Sequence, residues 1–214
     1  DGYRLEYLGP DQTLYSPAMW SPKTRKTDPD PANIEAMVRA VNFAPDADFE
    51  REVSKYVDLK QFMTYIATEN FLADFDGVLG GPFGMNNFYF YRFAGTTVGQ
   101  FLPWDKDGTF SWEGKSIFDG VEENVLARRA MQVPELRKTY LDALAKAAAL
   151  AGGPGGWMDG EINRLYYQIR GMARLDPNKQ CSTAGVIHPC GAEDFEREVE
   201  IIRLFTRERA GFDG

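Results

Sequence analysis

Apolar residues recur at helical spacing along much of the chain. Over residues 33–43, Ile34, Met37, Val38 and Val41 share one face. From Leu59 the stripe Phe62, Met63, Ile66, Ala67 repeats at i+3, i+4, i+7 and i+8. Asp58 sits just ahead of it, where a side-chain oxygen can satisfy a free backbone N–H. The spacing therefore predicts a well-buried helix from Asp58 that ends between Asn70 and Ala73, with a shorter helix over 49–56 before it. Residues 1–32 lack such a period. Pro10, Pro17, Pro22, Pro29 and Pro31 fall there among polar clusters such as Ser21–Asp28, which punctuate structure rather than propagate it. They read as an irregular N-terminal arm, in which Tyr3, Leu5, Tyr7 and Leu8 offer a short strand or a packing segment.

The period changes at residue 74. Residues 74–84 hold four glycines and a proline and read as a loop. Asn87–Phe93 and Val98–Trp104 then read as two strands around a turn at Ala94-Gly95-Thr96, which is a hairpin signal. Asp105-Lys106-Asp107-Gly108 opens another loop. Helical patterns return over roughly 120–131, 134–151, 157–174 and 192–209, with Pro134 suited to a first turn and Gly152-Gly153 to a stop. The sum is a mainly helical α+β fold with one central β-hairpin, organised as an arm over 1–32 and a helical domain over 33–214.

Composition narrows the function. The 214 residues carry a formal net charge of −8, which argues against a partner recognised through its phosphate backbone, so no nucleic acid is expected. A hydrophobic fraction of 43% with 14% aromatics supports a packed core rather than disorder. No apolar run approaches the roughly 18 residues of a transmembrane segment. His188 is the one histidine, which rules out a two-histidine metal helix from this chain. The chain opens at Asp1 with no leader pattern and reads as a mature product or an excised fragment. Cys181 and Cys190, the only cysteines, read first as a local disulfide in an exported protein. Two free thiols remain an alternative, and a zinc site with His188 a remote one, because the spacing is not a usual zinc pattern.

Four side chains carry the candidate chemistry. Asp76 lies in the loop before the first strand, Asn87 opens that strand, and Asp105 and Asp107 follow the second. A hairpin brings its outer ends together, so positions near 87 and 105 become neighbours. Asp and Asn oxygens meeting at one strand end suit a hard cation such as Mg²⁺. Asp76, set back from them, is placed to take a proton from a hydroxyl. Protein-kinase-like phosphotransferases use such an order of loop Asp, metal Asn and metal Asp. The eleven-residue step from Asp76 to Asn87 is longer than the kinase spacing, and neither H-R-D nor D-F-G occurs. Ordinary turn chemistry for Asp105 and Asp107, or a structural Ca²⁺ loop, are the alternatives. Phe88, Phe90 and Trp104 read as core, and Arg128-Arg129 as a helix face, with a grip on an acidic substrate as the alternative.

Three stretches together resemble the spore-coat protein H (CotH) kinase family. The first is Ser21-Pro22-Lys23-Thr24-Arg25-Lys26 leading to a helix that ends at Val41-Asn42. The second is the helix and loop from Asp58 to Gly77. The third, and most specific, joins Asn86-Asn87-Phe88-Tyr89-Phe90-Tyr91-Arg92 to Phe101-Leu102-Pro103-Trp104-Asp105-Lys106-Asp107-Gly108-Thr109-Phe110, which is similar to the family's N-N-Y-Y-L-Y strand and I-P-W-D-x-D-x-T-F loop. The resemblance covers roughly residues 15–145. It implies an atypical kinase fold in secreted or cell-surface proteins that transfer phosphate from ATP to Ser or Thr of a protein substrate, using Mg²⁺ or Mn²⁺. By position, Asp76 matches the catalytic base and Asn87 the metal-binding Asn. Asp105 matches the metal Asp, with Asp107 as its motif partner.

One departure shapes the expectation. A kinase also grips phosphates with a glycine-rich loop and a strand lysine, and neither precedes Asp76 here. Lys23 and Lys26 lie in a Pro/Thr-rich stretch. The chain therefore reads as the C-terminal lobe of a larger protein. Two other readings stand beside the enzyme: a surface or coat module that keeps the fold for assembly or adhesion, and a small-molecule kinase of related fold.

Overall fold

The computed structural model describes residues 2–81, 84–183 and 186–211. The fold is α+β, with two separate two-stranded antiparallel sheets among the described residues. The chain forms two compact units, one of Asp1–Ser111 with Lys115–Leu144, the other of Trp112–Gly114 with Ala145–Gly214. No helix among the described residues is long and apolar enough to cross a membrane.

In the first unit the predicted stripes become the core. Helix α1 (Pro31–Phe43) starts at Asp30, whose carboxylate accepts from the Asn33 N–H, and buries Met37, Val38 and Val41. Helix α2 (Phe49–Val53) is shorter than its pattern suggested and buries Phe49 and Val53. Helix α3 (Leu59–Phe71) starts at Asp58, which accepts from Gln61 N at 3.1 Å, and buries Leu59, Phe62, Met63, Ile66 and Ala67. Strands β1 (Phe88–Arg92) and β2 (Gly99–Pro103) pair antiparallel, from Phe88 opposite Pro103 to Arg92 opposite Gly99. Their inner residues Phe88, Phe90 and Phe101 cluster with Trp20 and Phe62, with ring centroids 5.1 Å apart for Phe62–Phe101 and 5.3 Å for Phe88–Phe101. Gln61 fixes the hairpin to α3: its amide donates to Phe101 O at 2.7 Å and accepts from Phe101 N at 3.1 Å.

The arm is irregular as expected, apart from a 3₁₀ turn at Gln12–Leu14. It is nonetheless packed. Leu5 and Tyr15 are fully buried, and the Tyr3 and Arg4 carbonyls accept from Met85 N and Val125 N.

Two readings need correction, and the alternative of an acidic-substrate grip at Arg129 falls. The pattern over 120–131 yields only α4 (Val125–Ala130), because Gly120 adopts φ +72° and the Asn124 side chain opens the helix by accepting from Ala127 N. Trp104 is 55% exposed rather than core, since it lies beyond β2 against Tyr89, centroid to centroid 5.0 Å. Arg129 grips its own chain, donating to the Val41 and Ala44 carbonyls and to Asp46, so it is spent on packing. Helix α5 (Pro134–Ala151) adds Leu136, Tyr140 and Leu144 to the first core.

The second unit contains helices α6 (Trp157–Leu175) and α7 (Ala192–Arg209), with strands β3 (Gln180–Thr183) and β4 (Val186–Pro189) between them. Cys181 and Cys190 form a disulfide beside this hairpin, as anticipated. The hairpin itself replaces the expected loop. Its four-residue strands are too short to show an alternating pattern. Contacts between α6 and α7 include polar and aromatic ones. Tyr166 stacks on Phe195, its hydroxyl donates to Glu196 at 2.8 Å, and Arg203 donates to Asn163 at 2.8 Å.

Candidate functional site

The end of α3 and the two loops around the hairpin converge. The left-handed backbone conformations of Ala73, Asn87, Asp105 and Phe110, with φ between 51° and 60°, fall in this region. Each costs a non-glycine residue about 1–2 kcal/mol, so the surrounding bonds must hold them. Those bonds are visible: Phe110 N donates to Leu72 O at 2.7 Å, Phe75 N to Gly108 O at 3.2 Å, and Trp104 N to Asn87 O at 3.3 Å.

Asp76 and Asn87 meet directly. The Asn87 amide donates to Asp76 Oδ2 at 3.0 Å, and the Asn86 amide donates to both oxygens of the same carboxylate at 3.1 and 3.2 Å. The hairpin register carries Asn87 and Asp105 to the same end of the ladder, just outside the Phe88–Pro103 pair. Asp105 precedes a single 3₁₀ turn, Lys106–Gly108, and Asp107 is its middle residue; both are exposed. Among the described residues no three His, Cys, Asp or Glu side chains form a ready metal cluster. The acidic groups are thus spread over two loops, with the amide of Asn87 on the side of Asp76.

Behind these four lies a second layer that the sequence reading missed. Glu69, 5% exposed, and Asp74, 6% exposed, both form ion pairs with Lys106, the Asp74 contact at 3.0 Å. Asp74 Oδ1 also accepts from Asp76 N at 3.0 Å, and Glu69 Oε2 from Val78 N at 2.9 Å. Burial pushes the Glu69 carboxyl above its ordinary range, opposed by the Lys106 ammonium. Burial likewise raises the Tyr65 hydroxyl, and the Glu69 carboxylate beside it adds to the effect. Lys115 donates to the Asp74 carbonyl at 2.9 Å and bridges to Asp119. Two glycines sit close against these carboxylates. A Cβ on Gly77 would lie 2.6 Å from the Glu69 carboxylate, and one on Gly108 would press within 3.3–3.4 Å of Asp74 and Asp76.

A signal for Glu69 existed. It stands three residues after Ile66 on the apolar stripe of α3, a position that the period assigns to the core, and a charge there demands a partner. Nothing local pointed to Lys106 as that partner, because 37 residues separate them. An open pocket of about 770 Å³ runs along this side of α3, lined by Gln61, Tyr65, Glu69, Asp74, Pro103 and Lys106 among others.

The arrangement offers one carboxylate held by two amides, two exposed carboxylates on a neighbouring turn, and a buried ion-paired network behind both. Comparison with known proteins gives a consistent picture. The family described as CotH kinase protein matches residues 6–212. The inner spore coat protein H of Bacillus subtilis (strain 168) is 26% identical over 196 residues, which is 89% of this chain and 50% of that protein. The chain thus spans about half the length of this curated relative. The match over nearly the whole length places the chain: it belongs to the CotH kinase protein family.

Proposed function

We propose that this chain carries the base and the metal-holding groups of a phosphotransferase that moves the γ-phosphate of ATP to a Ser or Thr hydroxyl of a protein. The observation that carries the reading is the Asn87–Asp76 hydrogen bond, at 3.0 Å, at the same end of the hairpin as Asp105. Phosphoryl transfer asks for little covalent chemistry from a protein and much positioning and charge neutralisation. The donor set fits a hard divalent cation. Neither the Asp105 nor the Asp107 carboxylate is engaged by another described side chain, and with the Asn87 carbonyl oxygen they offer all-oxygen ligation. Asn87, Asp105 and Asp107 would hold Mg²⁺ or Mn²⁺, which when bound neutralises developing charge on the phosphates. Asp76, oriented by Asn86 and Asn87, accepts the proton of the attacking hydroxyl. Family membership and the inner spore coat relative support an exported, coat or surface setting.

A non-catalytic coat or adhesion module is the second reading, favoured by the name of the relative. Radiolabelled phosphate transfer to a Ser/Thr-bearing protein substrate separates the two. In a protein that also supplies the phosphate grip, Asp76→Ala and Asp105→Ala are expected to abolish transfer. Both residues lie in loops, so stability should fall by only about 1 kcal/mol, mainly from the lost amide–carboxylate bonds at Asp76. Parent-rate transfer by Asp76→Ala would overturn its assignment as base.

A further inference from the structure

We infer that Lys106, held by the buried carboxylates of Glu69 and Asp74, is a positioning residue that fixes the Asp105–Asp107 turn relative to Asp76 for cation binding. The inference rests on the phosphotransfer reading and extends it to three residues outside the proposed ligand set.

Lys106 stands between the two exposed aspartates, yet its ammonium turns back to Glu69 on α3 and Asp74 in the loop after it. Those side chains are only 6% and 2% exposed. Burying two carboxylates for one lysine on a loop is a poor way to gain stability, because apolar residues of similar volume do as well. What the arrangement does achieve is a fixed geometry. Asp105 adopts φ +51°, a conformation that needs outside support, and the residue that follows it is the anchored one. Asp74 divides its two oxygens. Oδ1 accepts from the backbone N–H of Asp76 and Oδ2 pairs with Lys106. Glu69 does the same one step further along, with Oε2 on Val78 N and Oε1 on Lys106. Two buried carboxylates thus tie the loop that carries the base to the turn that carries the metal carboxylates. The close approach of Gly108 to Asp74 and Asp76 closes the same junction from the other side.

The sign of one measurement separates positioning from charge. Removing a lysine beside a cation site relieves repulsion and should tighten cation binding, if charge alone matters. Loss of positioning should weaken it. Mn²⁺ affinity, read by electron paramagnetic resonance without nucleotide, is compared for the parent, Lys106→Met, Lys106→Arg, Asp105→Ala and the double variant E69Q/K106M. The double variant strands one carboxylate fewer and keeps the test open if Lys106→Met does not fold. The expected result is a loss of affinity of about tenfold or more in Lys106→Met and in the double variant, with partial recovery in Lys106→Arg, as is usual for residues that orient metal ligands. Phosphate transfer by Lys106→Met should recover at raised Mn²⁺. Unchanged or tighter binding in both lysine variants overturns the inference, provided Asp105→Ala has lost Mn²⁺. If Asp105→Ala binds Mn²⁺ as the parent does, the metal assignment itself fails and takes the inference with it.

Discussion

Asp30 shows how much a single polar residue can carry in this chain. It caps α1 and pairs with Arg92 across 62 residues of sequence. The Arg92 hydrogen bond, ahead of every other influence, holds its carboxyl below the usual range. A depressed carboxyl contributes stability above the ordinary Asp value of about 3.9, and that contribution fades as pH falls through and below it. Urea midpoints of the parent and Asp30→Asn should therefore differ at neutral pH and converge as pH falls below the ordinary Asp range. Gly77 makes a steric counterpart. Gly77→Ala forces a methyl against the buried Glu69 carboxylate, 2.6 Å away, and should cost about 1–3 kcal/mol in the same assay. At this scale the sequence was legible where chemistry is local. Asp58 at its cap, and Asp76 and Asn87 as a pair, stood out because turn, cap and motif residues announce themselves within a few positions. Glu69, Asp74 and Lys106 did not, because their roles exist only once the chain has folded.

Elements were legible in proportion to their length. Helices α5, α6 and α7 follow a long apolar or charged period and lie where the spacing put them. The hairpin β1–β2 was readable from its aromatic run and its turn. The β3–β4 hairpin was not, and the Cys181–Cys190 bond is what makes so short a pair worth having. Cys181→Ser/Cys190→Ser should lower stability by about 2–3 kcal/mol, the usual cost of opening a short loop. Hydrogen exchange should show the loss at β3 and β4 first, leaving α3 and β1–β2 protected. On α6 the residues that meet α7, such as Asn163, Tyr166 and Arg174, lie on a different side of the helix from Leu165, Ile169 and Met172, which remain 44%, 49% and 75% exposed. The sequence showed an amphipathic helix there. It gave no hint which side the intrachain partner would take.

For the molecule as a whole, a ligand that binds only the folded state raises stability by mass action. Mn²⁺ at a hundred times its dissociation constant should add about 2.7 kcal/mol to the parent and nothing to Asp105→Ala, read as the shift of a thermal midpoint. Fold class was accessible from patterning because helices and a hairpin each leave a period. The candidate site was only half accessible: the motif brought Asp76 and Asn87 forward, while Glu69, Asp74 and Lys106 behind them leave no local pattern. Asp74 is the point where the two meet, one oxygen on the Asp76 backbone and the other on Lys106. On the proposed reading this gives catalysis an unusual fragility over evolutionary time. A lineage that no longer needed phosphate transfer could shed it in one step at position 74, with Asp76, Asn87, Asp105 and Asp107 all still in the sequence. Descendants of that kind would look like enzymes to any motif search while serving as silent building blocks.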